Sequence, residues 1–452
     1  MNQNNSKSSL NLQTSYAQIW KIAYPIIIGS IAQNLIALTD IAFLGRVGEN
    51  ELAAIGYVSL FYLLLYTIGY GYTKGTQILV ARRAGENKPH QIGPVLDNSF
   101  FVVTLFSLLI FVLLWFFTQP LFSAILNNQE VVAYCDDYLK VRAWGVWPSF
   151  LGTVLLAFYT GLGRMQIIIW NVIVISVVNI FLNWILIFGH FGFLEMGVTG
   201  AAIASTIAEV IGFFIFVGYS LVKRHYQEFQ FYKLAAVNRD TINTVNNLSA
   251  PIVGQFLIGL GAWFSFFTMI EKLGSRELAI SNILRNLYSL AGMTTWGFAS
   301  AANTVVSNVI GQGKYDDVKP TIKRIVYLSL GFAVIQSFIL AIIPRAILRV
   351  YTNDFSLIED SLAPLYICIV ALPLFSISTI LFNSIVSTGL TRVSLLIETM
   401  AICFYLVYIY FVIMVYHSEV WMAWTSEWIY WALIGSFALY YLKSGKWKNV
   451  KI

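Results

Sequence analysis

Long apolar runs alternate with short polar breaks along the whole chain. Twelve such runs read as helices, at residues 17–42, 53–79, 94–118, 136–160, 166–189, 198–222, 249–271, 279–303, 322–343, 362–387, 394–416 and 421–442. About 20 apolar residues as a helix cross the hydrocarbon core of a bilayer. A β-barrel would show short segments of alternating polarity instead, and none occur. Pro25, Pro148, Pro251 and Pro373 fall inside these runs. In lipid that is tolerated where neighbouring helices satisfy the freed backbone groups.

Composition supports the same solvent. The 452 residues are 58% hydrophobic and only 11% charged, against about 25% charged in soluble domains. The net charge of +6 carries a topological message and no sign of a nucleic-acid partner. With both ends inside, Lys and Arg fall on the inner segments better than two to one, which predicts cytoplasmic termini. The opening "MNQNNSKSSLNLQTSY" has no apolar stretch followed by a small-residue cleavage site, so no cleaved signal peptide is expected. The longest break, residues 223–248, is polar and basic and reads as a cytoplasmic linker between a bundle at 1–222 and another at 249–452. Cys135, Cys368 and Cys403 are too far apart to suggest a metal or redox motif.

The two halves repeat. Shifted by 226 residues, Pro25 meets Pro251, "VGENELAAI" (47–55) meets "LGSRELAIS" (273–281), and "RAGENK" (83–88) meets "VIGQGK" (309–314). At a shift of 228, "TGLGRMQ" (160–166) meets "TGLTRVS" (388–394). Matches at loop residues, in one order and at nearly one offset, indicate duplication. Six helices plus six, each half starting inside, predicts an all-α polytopic membrane protein. Its twelve transmembrane helices form two six-helix bundles related by a pseudo-two-fold axis along the membrane normal. Transporters are often built this way.

Against that apolar background the buried polar residues stand out. Asp40 closes the run ending in "NLIALTDIAFLG" (34–45). A charge at a helix centre costs roughly 2.5–3.5 kcal/mol on insertion scales, so it faces protein or water. Gln33, seven residues back, lies on nearly the same face, and with Asn34 and Asp40 makes a polar patch. In the fifth run Ser176, Asn179 and Asn183 share one stripe. A carboxylate among neutral amides suits a hard cation such as sodium, which takes oxygen ligands, or a proton, which needs one carboxyl. Glu209 and Glu398 also lie within runs and are candidates for attracting cationic substrates; Glu427 reads as interfacial. Tryptophans and tyrosines near span ends read as interface belts. "RRAGENK" and "IGQGK" lack the spacing of a nucleotide loop. No cofactor is expected, and energy would come from an ion gradient.

The stretch at 25–56, "TGLGRMQ", "NIFLNWILIFGHFGFLEMGVTGAAIAS" (179–205) and the second-half copies resemble the multidrug and toxic compound extrusion (MATE) family over almost the whole chain. The resemblance implies two six-helix bundles around a central cavity. It also implies alternating-access export of amphiphilic or cationic organic compounds in exchange for H+ or Na+, from a bacterial inner membrane. It places Asp40, Asn179 and Asn183 at the cation-coupling site, with Asn183 standing where some members carry Asp. That departure removes one negative charge and leans the reading towards protons, while a sodium ion at the same site stays open. The other half has Phe266 opposite Asp40 and no acid in "PLFSISTILFNS", so coupling is expected in the first half. The alternative reading is a lipid-linked saccharide flippase of the wider superfamily. An enzyme is not expected, because His90, His190, His225 and His417 are scattered over loops and span ends. Nothing in the chain fixes an oligomeric state, and a monomer is compatible with it.

Overall fold

The computed structural model describes residues 10–233, 237–450 and 452. The first nine residues, including Lys7, positions 234–236 of the linker, and Lys451 lie outside the described residues.

The described residues contain twelve helices of 19 residues or more. They are α1 (Tyr16–Leu44), α2 (Glu49–Gly85), α3 (Pro89–Phe116), α4 (Gln129–Gly161), α5 (Gln166–Phe188), α6 (Gly197–Val222), α7 (Arg239–Glu271), α8 (Ser275–Gly311), α9 (Tyr315–Ile342), α10 (Phe355–Ser387), α11 (Thr391–Tyr410) and α12 (Ser426–Ser444). Each coincides with one run of the sequence reading. Most extend past it by a turn or more, because helical hydrogen bonding continues beyond the last apolar residue until a cap ends it. Ten are long and apolar enough to cross a membrane; α8 and α12 are not among them. In α8 the reason is a stripe of small and polar side chains, Thr295, Ser300, Asn303, Thr304, Ser307 and Asn308, all at most 5% exposed. Such residues lower hydropathy but let helices pack closely.

The duplication extends to the helix ends. The bounds of α2 and α8, of α3 and α9, and of α4 and α10 are each 226 residues apart. The caps repeat as well. Asn128 Oδ1 accepts from the N–H groups of Glu130 and Val131 at 3.0 and 3.4 Å to start α4. Asp354 Oδ1 does the same for Ser356 and Leu357 at 2.9 and 3.3 Å to start α10. These bonds satisfy N–H groups that a helix start leaves unpaired. Asn87 and Gly313, also 226 apart, both take the left-handed conformation after their helices. One detail corrects the sequence alignment. The left-handed glycines after α4 and α10 are Gly163 and Gly389, again 226 apart, so the 228 shift read from "TGL" does not describe the backbone.

The chain divides into two compact units. One gathers the described residues up to Ile27 with Gly85–Asn87 and Ala250–Ile452; the other holds Ile28–Ala84 and Lys88–Ser249. The start of α1 therefore packs in the first of these. Ile19, Ile22 and Ala23 are fully buried, and Trp20 stacks on Phe332 at 5.2 Å. Large apolar side chains remain exposed along the helices, among them Leu38 at 58%, Phe264 at 77% and Phe338 at 66%. A soluble surface would not carry this much apolar area, whereas lipid accepts it.

The linker is more than a tether. Phe229 and Phe231 are buried against Phe158, with ring centroids 5.3 and 5.4 Å away. Asp97 accepts from the backbone N–H groups of Tyr232 and Lys233 at 2.8 and 3.0 Å, and Asn98 accepts from that of Asn238 at 2.8 Å. The linker thus folds back onto the unit that holds α3 and α4.

Candidate functional site

The geometry around Asp40 follows from three helices of the second unit. Asp40 lies one turn from the end of α1 and is 9% exposed. Asn179 and Asn183, four residues apart on α5, present their amides on one stripe, 2% and 0% exposed. Asn183 Nδ2 donates to Asp40 Oδ1 at 2.5 Å and to Asn179 Oδ1 at 2.9 Å. Asn179 Nδ2 in turn donates to Ser205 Oγ of α6 at 3.0 Å. The result is one chain of side chains, Asp40–Asn183–Asn179–Ser205, running across α1, α5 and α6. Asn183 Oδ1 is buried with no hydrogen-bond partner. A buried, unpaired carbonyl oxygen beside a carboxylate is costly to leave open. Ser205, the last residue of the stretch 179–205, was not singled out in the sequence, because one serine in an apolar run carries no chemical signal.

The other candidates are placed differently. Gln33 and Asn34 are exposed on α1, and Asn34 Nδ2 donates to the Ser30 carbonyl at 3.2 Å. The structure does not join them to the Asp40 chain. Ser176 turns its hydroxyl back to the Val172 carbonyl at 2.8 Å. Glu209 of α6 is held by Arg142 of α4, Oε1 to Nη2 at 2.7 Å. Arg142, inside the run read at 136–160, is buried at 4% exposure, and its guanidinium lies over the Tyr62 ring at 4.2 Å. Glu398 lies in the other unit, buried on α11, and accepts from the Tyr430 hydroxyl of α12. Glu427, read as interfacial, is buried at 4% exposure and accepts from Trp431 Nε1 at 2.9 Å. A short helix, Val420–Trp424, precedes α12, and its Val420, Ala423 and Trp424 are buried. Lys74 donates to Gln77 at 3.1 Å and stands over the Tyr70 ring. Phe266, the counterpart of Asp40, is packed against Tyr405 and Trp424. Among the described residues no group of three His, Cys, Asp or Glu side chains comes together as a metal centre.

An all-helical polytopic membrane protein with a buried carboxylate chained to amides is the class these observations define. The family model described as MatE matches residues 25–185 and 251–414, one segment in each half. The chain belongs to the MatE family, and its fold is the twelve-helix, two-bundle layout of MATE transporters. Among curated proteins it is 28% identical over 333 residues to "Probable multidrug resistance protein NorM" of Rhizobium meliloti, covering 74% of this chain and 71% of the relative. It is 25% identical over 445 residues to the protein of the same name from Thermotoga maritima, covering 96% and 93%. Among solved structures, the outward-facing conformation of a multidrug resistance MATE family transporter superposes with a TM-score of 0.86 at 18% identity, over 97% of this chain and 99% of that one. A MOP superfamily transporter from Pyrococcus furiosus gives 0.87 at 17% identity, over 97% and 98%.

Proposed function

We propose that this protein is a multidrug efflux transporter of a bacterial cytoplasmic membrane. On this reading it exports amphiphilic or cationic organic compounds by alternating access, with both termini cytoplasmic, and a cation bound at Asp40 drives it. The observation that carries the reading is the buried chain Asp40–Asn183–Asn179–Ser205. A carboxylate inside a membrane helix is expensive and marks an ion or proton pathway by default.

The geometry favours a proton over a sodium ion. The site offers one carboxylate, and a proton needs only one; the Asn183 nitrogen is engaged by Asp40 and Asn179 while its Oδ1 stays unpaired. Ionised Asp40 accepts from the Asn183 N–H group. Protonated Asp40 has an O–H to donate, and half a turn of the Asn183 amide presents the unpaired Oδ1 to receive it. Asn183 therefore serves both protonation states, and the change of donor direction alters the pull between α1 and α5. Helices held by a different set of bonds in each state are what a rocking transporter needs.

The test is efflux of a fluorescent organic cation from inverted vesicles, wild type against Asp40→Asn, with pH and sodium gradients imposed separately. Efflux driven by the pH gradient alone and lost in the variant is the expected result. Gradient-driven efflux that survives Asp40→Asn would remove Asp40 from coupling.

A further inference from the structure

The unit that lacks a counterpart of Asp40 carries two buried carboxyls of its own. Glu398 on α11 and Glu427 on α12 are 8% and 4% exposed. Neither meets a Lys, Arg or His in an ion pair among the described residues; their direct partners are the Tyr430 hydroxyl and Trp431 Nε1. The hydroxyls of Tyr288 from α8 and Tyr405 from α11 lie against Glu427, and Cys368 of α10 is near it. Two oxygens at this place are buried with no hydrogen-bond partner, Tyr288 OH and Ser426 Oγ, on residues 6% and 0% exposed. Aromatic rings pack beside the two carboxyls. Tyr430 lies 4.6 Å from Trp431 and 5.6 Å from Tyr405, and Trp431 lies 4.6 Å from Phe375, centroid to centroid.

A carboxylate taken out of water without a cation is too costly to leave bare; it must hold a proton or a bound ion. A sodium ion needs several oxygens turned inward around an open space. Here one oxygen of each carboxyl already takes up a Tyr or Trp donor, and the neighbouring side chains are aromatic. A proton needs no such space. The Tyr288 hydroxyl, which lies against Glu427 and has no hydrogen-bond partner, can donate to an ionised Glu427 or accept from a protonated one. The titratable groups facing the pair are Tyr288, Cys368, Tyr405 and Tyr430. None of them is a base that would hold the carboxyls permanently ionised.

We propose that Glu398 and Glu427 form a second proton-binding site, in the unit containing α8 and α10–α12 and separate from Asp40. It is not a copy of the first. At the 226 shift Glu398 and Glu427 fall on Val172 and Ala201, and Asp40 falls on Phe266. Asp40 and this pair thus stand at non-equivalent positions of the duplicated halves.

The test is pH-difference infrared spectroscopy of the full-length protein in lipid nanodiscs, reading the carboxylic C=O stretch. Wild type, Glu398→Gln, Glu427→Gln and Asp40→Asn are compared. The expected result is that Glu398→Gln and Glu427→Gln each lose one titrating band, while Asp40→Asn keeps both. Bands at Glu398 and Glu427 that do not change with pH, or that respond to sodium at constant pH, would overturn the proposal. If Asp40 alone titrates, the second site fails while the function proposed for Asp40 stands. Should Glu427→Gln fail to fold, Tyr288→Phe and Trp431→Phe serve instead. Each is expected to shift the Glu427 band without removing it, and an unmoved band in both refutes the assignment.

Discussion

Cutting the Arg142–Glu209 pair at one end should cost far more than removing both ends. The two groups meet at 2.7 Å, with the Arg142 side chain 5% exposed and that of Glu209 24% exposed. Charge centres about 4 Å apart attract by roughly 4 kcal/mol at an effective dielectric of 20. Removing one partner of a buried pair strands the other, at about 3–5 kcal/mol. The two single variants are not equal. Glu209→Leu leaves the deeply buried Arg142, whose Nε and Nη1 already have no partner, with no counter-charge in contact, so it belongs at the upper end of that range. Arg142→Met leaves Glu209, which retains some solvent access and is screened, so about 2–3 kcal/mol is expected, part of it the lost stacking on Tyr62. The double variant Arg142→Met with Glu209→Leu replaces the pair by apolar groups. It should recover at least about 2 kcal/mol relative to the sum of the singles. Equilibrium unfolding in mixed detergent micelles measures all four corners of the cycle. Additivity within about 0.5 kcal/mol would refute the reasoning, since it would mean the two charges do not depend on each other.

Two further outcomes concern the linker. Burial, assisted by the positive charge of Arg164, pushes the His225 imidazole down to about 4 from its usual 6.5, so the folded clasp holds it neutral beside the Tyr159 hydroxyl at 3.2 Å. The unfolded linker binds the proton first. Clasp stability is therefore complete above pH 6.5 and falls as pH drops from there towards 4, by at most about 3 kcal/mol. Amide hydrogen exchange at residues 225–233 should rise over that window in wild type and stay flat in His225→Gln. Gly93→Ala should open the same clasp at all pH values. Its Cβ would fall 2.2 Å from the Phe229 carbonyl oxygen and 2.4 Å from that of Gln230, and both are backbone atoms that cannot step aside. Faster proteolysis of the linker, with the melting of the helices little changed, is the expected reading; unchanged cleavage would show that the linker is not held by this contact.

What the chain determined unaided was the class of solvent and the duplication. Hydropathy fixes where a helix must sit in lipid, because unpaired backbone groups have no other partner there; the twelve runs and the twelve long helices accordingly coincide. The 226-residue repeat was legible because Pro25 and Pro251, and the turn segments 83–88 and 309–314, match at helix and turn positions that need particular residue types. Asp40 was visible for a related reason: a carboxylate in an apolar run is costly enough to demand an explanation. The tertiary structure decided which polar groups meet. No local pattern joins Asp40 to Asn183, 143 residues away, or tells that Glu209 is held by Arg142 while Glu398 and Glu427 pair with no cation among the described residues. Glu427 was read as interfacial because it stands near the start of an apolar run, where hydropathy falls whether or not the helix continues. Whether a charge there reaches water or is enclosed depends on the helices packed beside it, and that information lies in residues far along the chain.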